Sequence, residues 1–362
     1  MKTYRAGVIG CSRMGGFIDN EVVGYSRIAL PYSHAAGYTT CDRTDLVACA
    51  DLRPDVMDEF GKLHGVPAEG QYTDYHEMLA KENLDIVSVA TQPEPRARIV
   101  VDCANHGVKA IYAEKAMAAS MTDADAMVEA VERNGAILNL GTNRRYDTKY
   151  DRMKEIINSG DLGDLQHIIV YNVGTLFNTG SHFLDLVLWL NSDAPAEWVQ
   201  GHLPDGDSMI DGDNLTGDPQ GEGTIQFAND VKAHVLLTAR ASEIEAICSK
   251  GTITAFGDGS EWQVRKAEPV GLRGRNELKI APAPQTPPTS STLRAVQDLV
   301  HALDTGQPPR GGVRAARAGN ELIFGIIESH LQGGARVSLP LAKRTTRMTR
   351  DHTPRLPKYK PD

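Results

Sequence analysis

Residues 6–16 read AGVIGCSRMGG: an apolar run, Ala6 to Ile9, meets a turn made of Gly10, Cys11, Ser12, Arg13, Met14 and Gly15. A strand that runs into a glycine turn offers backbone N–H groups to a pyrophosphate at the N-terminus of the following helix. Gly10 suits the tight turn, and Gly15 lets the helix pack closely on the strand. The middle position, glycine in the dinucleotide fingerprint, is Ser12. Its side chain narrows the approach of a phosphate, while its hydroxyl can donate to one. Turns of this kind also occur outside nucleotide sites, so the pattern on either side decides.

Downstream, Phe17 to Arg43 is rich in Gly, Pro, Ser and Tyr and interrupts the helix expected between the first two strands. Such a loop is either a binding loop or a solvated excursion, and Arg27, Tyr32 and His34 are the side chains that could face a ligand. Leu46 to Ala50 reads as the second strand, with Asp51 at its carboxyl end. A carboxylate there accepts from both ribose hydroxyls of an adenosine and repels a 2′-phosphate, which favours NAD over NADP. Arg53 nearby would favour a phosphate, and Asp51 also reads as a helix cap before Pro54.

Helical patterns over Pro54–His64, Tyr75–Lys81, Pro95–His106 and Thr122–Arg133 alternate with strands Ile86–Ala90, Lys109–Ala113 and Ala136–Leu140. This alternation predicts an α/β, doubly wound parallel sheet through residue 141. Thr91, Gln92 and Pro93 close one strand at the end that faces a ligand crevice. Beyond residue 141 the pattern changes. A helix over Tyr150–Asn158, a strand over Leu165–Val173 and an apolar helix over Phe183–Leu190 come first. Strands over Glu197–Gly201, Gly223–Phe227, Val231–Thr238, Glu243–Cys248 and Gly251–Phe256 follow with little helix between them. They predict an α+β domain with one large, mostly antiparallel open sheet. Pro282 to Thr289 reads as a surface loop, Ser291–Thr305 and Val313–Leu331 as closing helices, and Val337–Leu341 as the last strand. The expected division is residues 1–141, 142–345 and a basic, Pro-containing tail over 346–362, lying on a surface or a neighbouring subunit.

The 362 residues suffice for two domains with cores, and 41% hydrophobic with 23% charged residues is ordinary for a globular enzyme. A net charge of −9 argues against a nucleic-acid or anionic-membrane partner. No run is long enough to span a bilayer and no apolar leader opens the sequence, which suggests a cytoplasmic protein. Five cysteines without metal-type spacing read as buried free thiols, with no metal site.

Two stretches carry chemistry. Lys115 follows a buried strand at the crevice end of the parallel sheet, where it can stabilise an alkoxide as it forms; Glu114 can orient it or contact ribose. The same pair also reads as a surface ion pair. His182 opens an apolar helix, and Asp185, on the same helical face, can fix its tautomer so that the ring accepts a proton. It also reads as a structural histidine at a helix start.

The Gly10–Gly15 turn, Glu114-Lys115, Asn143-Arg144-Arg145-Tyr146 and Gly180-Ser181-His182-Phe183-Leu184-Asp185 occur in the order seen in the Gfo/Idh/MocA oxidoreductases. The chain resembles that family over nearly its whole length. The resemblance implies an N-terminal Rossmann domain with bound NAD(P), a C-terminal open sheet used for homo-oligomerisation, and oxidation or reduction at a carbohydrate or polyol carbon. It makes Arg145 and Tyr146 site-lining residues. It also exposes three departures: Ser12; Ala116 where the family has a proline, which would leave the Lys115 backbone less fixed; and Asn178 where many members carry an aspartate. Asn178 can bond a hydroxyl but cannot take its proton, which leaves His182 and Lys115. The leading expectation is an NAD-dependent sugar or glycoside dehydrogenase. The alternatives are glycoside cleavage through transient oxidation with retained NAD, and a non-catalytic NAD or sugar sensor.

Overall fold

The computed structural model describes residues 2–172, 174–238, 241–270, 274–283, 286–350 and 355–361. It divides into two compact units: residues 1–146 with 289–317 and 351–362, and residues 147–288 with 318–350. The boundaries therefore differ from those expected, because the helix Ser291–Thr305 and the end of the chain return to the first unit.

The first unit holds strands β1 (Tyr4–Ile9), β2 (Thr44–Ala50), β3 (Gln71–Tyr72), β4 (Ile86–Val89), β5 (Ala110–Ala113) and β6 (Ile137–Leu140). They form one sheet in the order β3-β2-β1-β4-β5-β6, and every pairing is parallel. The order reverses between β1 and β4, the switch point of a doubly wound sheet, and ligands bind at the carboxyl ends there. The helices are α1 (Asp19–Val22), α2 (His34–Thr40), α3 (Pro54–His64), α4 (Tyr75–Lys81), α5 (Pro93–Asn105) and α6 (Met121–Arg133). Local signals set their ends. Proline opens α3 and α5, Gly65 in the left-handed region closes α3, and the Ser120 side chain caps α6 by accepting from the Asp123 N–H.

The expected loop over residues 17–43 is shorter than the composition suggested. The crossover helix is present but split into α1 and α2, with residues 23–33 looped out between them. The loop is closed at its base by the Asp19 carboxylate, which accepts the backbone N–H of Tyr32 and of Ser33, each at 2.8 Å. Ser33 then caps α2 by accepting from Ala36.

The second unit contains α7 (Thr148–Asn158), β7 (Leu165–Asn172), α8 (Ser181–Leu190), β8 (Ala196–His202), β9 (Ile210–Asp211), β10 (Asn214–Leu215), β11 (Glu222–Phe227) and β12 (Lys232–Leu237). Strands β13 (Glu243–Cys248), β14 (Gly251–Phe256), β15 (Glu261–Val270) and β16 (Arg275–Ala281) follow. Helix α9 (Ser291–Thr305), part of the first unit, and α10 (Val313–Leu331) precede β17 (Val337–Ser338) and β18 (Arg347–Met348). Nine strands form one sheet, β16-β15-β14-β13-β7-β12-β11-β8-β17. It is antiparallel except for the β7–β12 pair. Strand β7 buries Ile168, Val170 and Asn172 on one face and leaves His167, Ile169 and Tyr171 half-buried on the other, the alternation of a sheet covered on one side. The β15–β16 hairpin and the small β18-β10-β9 sheet were not legible in the sequence. β16 is exposed nearly throughout, so it carries no buried-face pattern to read. Val173, the last residue of the expected strand, lies outside the described residues, as do residues 284–285 of the proline-rich loop and residues 351–354 and 362 of the tail.

Candidate active site

In the first unit the glycine turn needs its glycines. Gly10 has φ +91°, and a Cβ on it would come within 3.1 Å of the Ala90 carbonyl group. A Cβ on Gly15 would lie 1.9 Å from the Gly10 carbonyl oxygen, an impossible approach. The helix begins as a wide turn over Arg13–Phe17, and the exposed Arg13 guanidinium pairs with Glu21 at 2.7 Å. Asp51, at the end of β2, ties this turn to the sheet: its carboxylate accepts the Cys11 N–H at 2.9 Å and the Arg53 N–H at 3.0 Å. Asp51 is therefore not a cap of α3, whose N-cap residue is Arg53. The Arg53 side chain lies 3.6 Å from Asp51 and donates to the Arg355 carbonyl.

At the end of β4, Gln92 is exposed and Pro93 buried at the start of α5. Buried Arg96 donates to the carbonyls of both Thr91 and Ala116. The Lys115–Ala116 peptide is cis although no proline follows. Lys115 is half-buried, while Glu114 is only 5% exposed. Glu114 accepts from His34 Nε2 at 3.1 Å through one oxygen and from the Lys115 N–H at 3.2 Å through the other. Burial alone would raise the Glu114 pKa. The hydrogen bond and charge of His34, then Lys115 and Arg96, outweigh burial and hold it below the usual carboxylate range.

These residues fit a dinucleotide. The glycine turn at the end of β1 packs backbone on backbone, Gly10 against Ala90 and Gly15 against Gly10. Near the carboxyl ends of β4 and β6, Thr91 Oγ1, Thr142 Oγ1 and Asn143 Oδ1 are buried with no hydrogen-bond partner among the described residues. Buried polar atoms left in this way mark places where a ligand or water completes the bonding.

In the second unit a wide turn over Leu176–Gly180 leads into α8. Its organiser is Asp218, which the sequence reading did not single out. The Asp218 carboxylate accepts the Thr175 hydroxyl at 2.6 Å, the Phe177 N–H at 2.9 Å and the Asn178 N–H at 3.0 Å. Burial pushes its pKa up, against the lowering effect of those donors. Asn178 is exposed, His182 is half-buried in the first turn of α8, and Asp185 one turn further is 3% exposed. Only the Asp218-Pro219 turn dipeptide hinted at this residue, since its partners lie about forty positions away.

Three residues read as possible ligand neighbours are buried. His34 faces the interior, fully buried against Tyr112 with ring centroids 4.0 Å apart. Arg145 and Tyr146 are also fully buried. The Arg145 guanidinium donates to the Arg310 carbonyl at 3.1 Å, and the Tyr146 carbonyl accepts from Arg294 at 2.5 Å. These bonds tie the turn after β6, residues 143–146, to Arg294 and Arg310, some 150 residues away in sequence. Arg27 is exposed over the Tyr25 ring, and Tyr32 is half-buried at the base of its loop. All five cysteines are free and buried, as expected. Among the described residues no helix is long and apolar enough to cross a membrane.

Comparison with known proteins agrees with this geometry. Residues 19–142 match the model of the Gfo/Idh/MocA oxidoreductase family, NAD-binding Rossmann fold. A myo-inositol 2-dehydrogenase of Thermotoga maritima is 30% identical over 159 residues, 44% of this chain and 42% of that protein. An inositol 2-dehydrogenase of Salmonella typhimurium is 30% identical over 221 residues, 58% of this chain and 60% of that protein. The chain thus spans about half the length of these curated relatives. The crystal structure of an oxidoreductase from Agrobacterium radiobacter, in complex with NAD+, L-tartaric acid and magnesium, superimposes with a TM-score of 0.72. It is 18% identical and covers 93% of this chain and 98% of its own. Over residues 19–142 this chain therefore resembles the NAD-binding Rossmann fold of the Gfo/Idh/MocA oxidoreductases.

Proposed function

We propose that the protein is an NAD-dependent oxidoreductase acting on a CH–OH carbon of a sugar or cyclic polyol. The observation that carries this reading is Lys115. It stands at the carboxyl end of β5, with its own N–H on Glu114 and the next carbonyl on Arg96. A lysine on the surface needs no such anchoring. The names of the inositol dehydrogenase relatives supply the substrate class.

In this reading Gly10, Ser12, Arg13, Met14 and Gly15 hold the pyrophosphate. Asp51 receives the adenosine ribose, and Thr91, Gln92, Pro93 and Glu114 line the nicotinamide end. NAD is preferred to NADP because a 2′-phosphate would bring like charge to Asp51, whose neighbour Arg53 is already engaged. The chemistry supplied by bound NAD is acceptance of a hydride from a carbinol carbon. The protein must then take the hydroxyl proton and tolerate developing negative charge. Lys115 stabilises that charge. His182, set on the first turn of α8, accepts the proton, and Asn178 bonds a substrate hydroxyl without taking a proton. Asp218 fixes the turn that presents Asn178. The half-buried outer face of the nine-stranded sheet is the surface for self-association.

The test is a kinetic one on inositol and an aldose panel with NAD and NADP. Losing a positioned acid–base group costs roughly 10²–10⁴-fold in rate. Lys115→Ala and His182→Ala should each lower kcat by that order while NADH still binds. Asn178→Ala should chiefly raise KM. Wild-type turnover in His182→Ala, with a dead Asn178→Ala, would move the proton path to a water held by Asn178.

A further inference from the structure

Behind Glu114 lies a buried polar chain that the proposed chemistry does not use. His34 Nδ1 lies 2.8 Å from Ser88 Oγ, and Ser88 Oγ lies 2.8 Å from the Tyr38 hydroxyl. His34 Nε2 lies 3.1 Å from Glu114 Oε1. His34, Ser88 and Tyr38 are all at 0% exposure, and the imidazole is stacked on Tyr112. Four polar groups from α2, β4 and the end of β5 therefore meet in the interior, where an unsatisfied polar group is costly.

The direction of the bonds follows from the donors available. An ionised Glu114 only accepts, so His34 Nε2 carries a proton and donates to it. In the neutral ring Nδ1 then accepts from Ser88, and Ser88 accepts from Tyr38. In the charged ring Nδ1 donates to Ser88, whose hydroxyl turns toward Tyr38. Both assignments keep the Glu114 bond, so the carboxylate is held in either state of the ring. The same oxygen is also packed closely on Gly141, where a Cβ would come within 2.8 Å of Glu114 Oε1. The second oxygen is committed to the Lys115 N–H.

We propose that His34 is a positioning residue for Lys115: backed by Ser88 and Tyr38, it fixes the Glu114 carboxylate, which in turn holds the Lys115 backbone at the floor of the cofactor site. The residue acts through Glu114 and touches neither substrate nor cofactor. The role follows from the split crossover helix. The looped-out residues 23–33 end on the Asp19 staple, and the chain re-enters as α2 with His34 as its first residue.

The inference rests on Lys115 being the lysine of the reacting site, and the test separates the two ideas. His34→Leu removes both bonds, His34→Gln keeps an N–H for Glu114, and Ser88→Ala cuts only the far end. Small misplacements of a reacting group cost up to about a hundredfold in rate. His34→Leu should lower kcat by about tenfold to a hundredfold, with KM and NADH affinity little changed. His34→Gln should recover most of the loss, and Ser88→Ala should lie between. A second readout needs no substrate: labelling of Lys115 by pyridoxal 5′-phosphate and borohydride, located by peptide mass. Its rate should shift several-fold in His34→Leu and return in His34→Gln. If the wild type oxidises no polyol but labelling still follows residue 34, the proposed function falls and the positioning role stands. If kcat and labelling are unchanged in His34→Leu, the positioning role is overturned. It is equally overturned if the leucine and glutamine variants lose activity alike in step with melting temperature. Should His34→Leu fail to fold, the glutamine and Ser88→Ala variants decide by the same readouts.

Discussion

Glu114 is a carboxylate with almost no contact with water that stays ionised. Burial opposes its charge, and His34, Lys115 and Arg96 together overcome burial, so its folded pKa lies below the ordinary 4.5. An acid with a depressed folded pKa stabilises the fold fully above its unfolded value and loses that contribution as pH falls through the folded one. Glu114→Gln should therefore be less stable than the wild type at neutral pH, by about 1–3 kcal/mol for a buried bond left badly made. The gap should narrow as pH drops below 4.5. Urea unfolding at several pH values checks this, and a gap independent of pH would mean that the charge of Glu114 contributes nothing. The Glu114-Lys115 pair was readable because the two residues are adjacent at a strand end. The His34–Glu114 bond was not, since 80 positions separate the partners and the intervening loop hid the start of α2.

At the scale of elements, the interrupted crossover is the distinctive feature. Residues 23–33 leave directly from the segment that follows the glycine turn, and they expose Val23 at 51%, Tyr25 at 51% and Leu30 at 45%. Apolar side chains shown to water on a looped-out segment fit a surface that meets ligand. Shortening the loop within residues 24–28, with the Asp19 staple intact, should raise the substrate KM more than it weakens NADH binding. Steady-state kinetics and fluorescence titration check this, and unchanged kinetics in a folded variant would make it a passive loop. Composition exposed the interruption, since Gly, Pro and Ser cluster there. It could not show that α2 resumes at His34, because a seven-residue helix packed into a core has too short a period to read.

At the scale of the whole chain, the last described segment closes onto the first unit. The Tyr359 ring meets Phe17 edge-on at 5.1 Å, and Asn20 donates to the Lys358 carbonyl at 2.9 Å. Arg53 donates to the Arg355 carbonyl at 3.3 Å. The tail thus spans the helix start after the glycine turn and the residue beside Asp51. Truncation after Pro354 should uncover Phe17, lower the melting temperature and release Arg53. On the proposed function, a guanidinium freed beside Asp51 should then reduce the proposed preference for NADH over NADPH in fluorescence titrations. An unchanged preference in a folded truncation would show that Arg53 does not contribute to the choice of cofactor.

Local chemistry alone determined much of this protein. The bounds of α3, α4, α9 and α10 and of β13 and β14 follow from apolar period, proline at helix starts and glycine at stops, and they match the structure residue for residue. The glycine turn and the Lys115 strand end were legible for the same reason: each is a run of neighbouring residues whose backbone task selects its composition. Tertiary structure decided what joins distant residues. Asp218 organises a turn forty positions away, His34 reaches Glu114, Arg145 and Tyr146 turn inward, and α9 and the tail return to the first unit. No periodicity records such contacts, because burial and hydrogen bonding between remote segments depend on how the elements pack, and a side chain that suits a crevice suits an interior equally well until the packing is known.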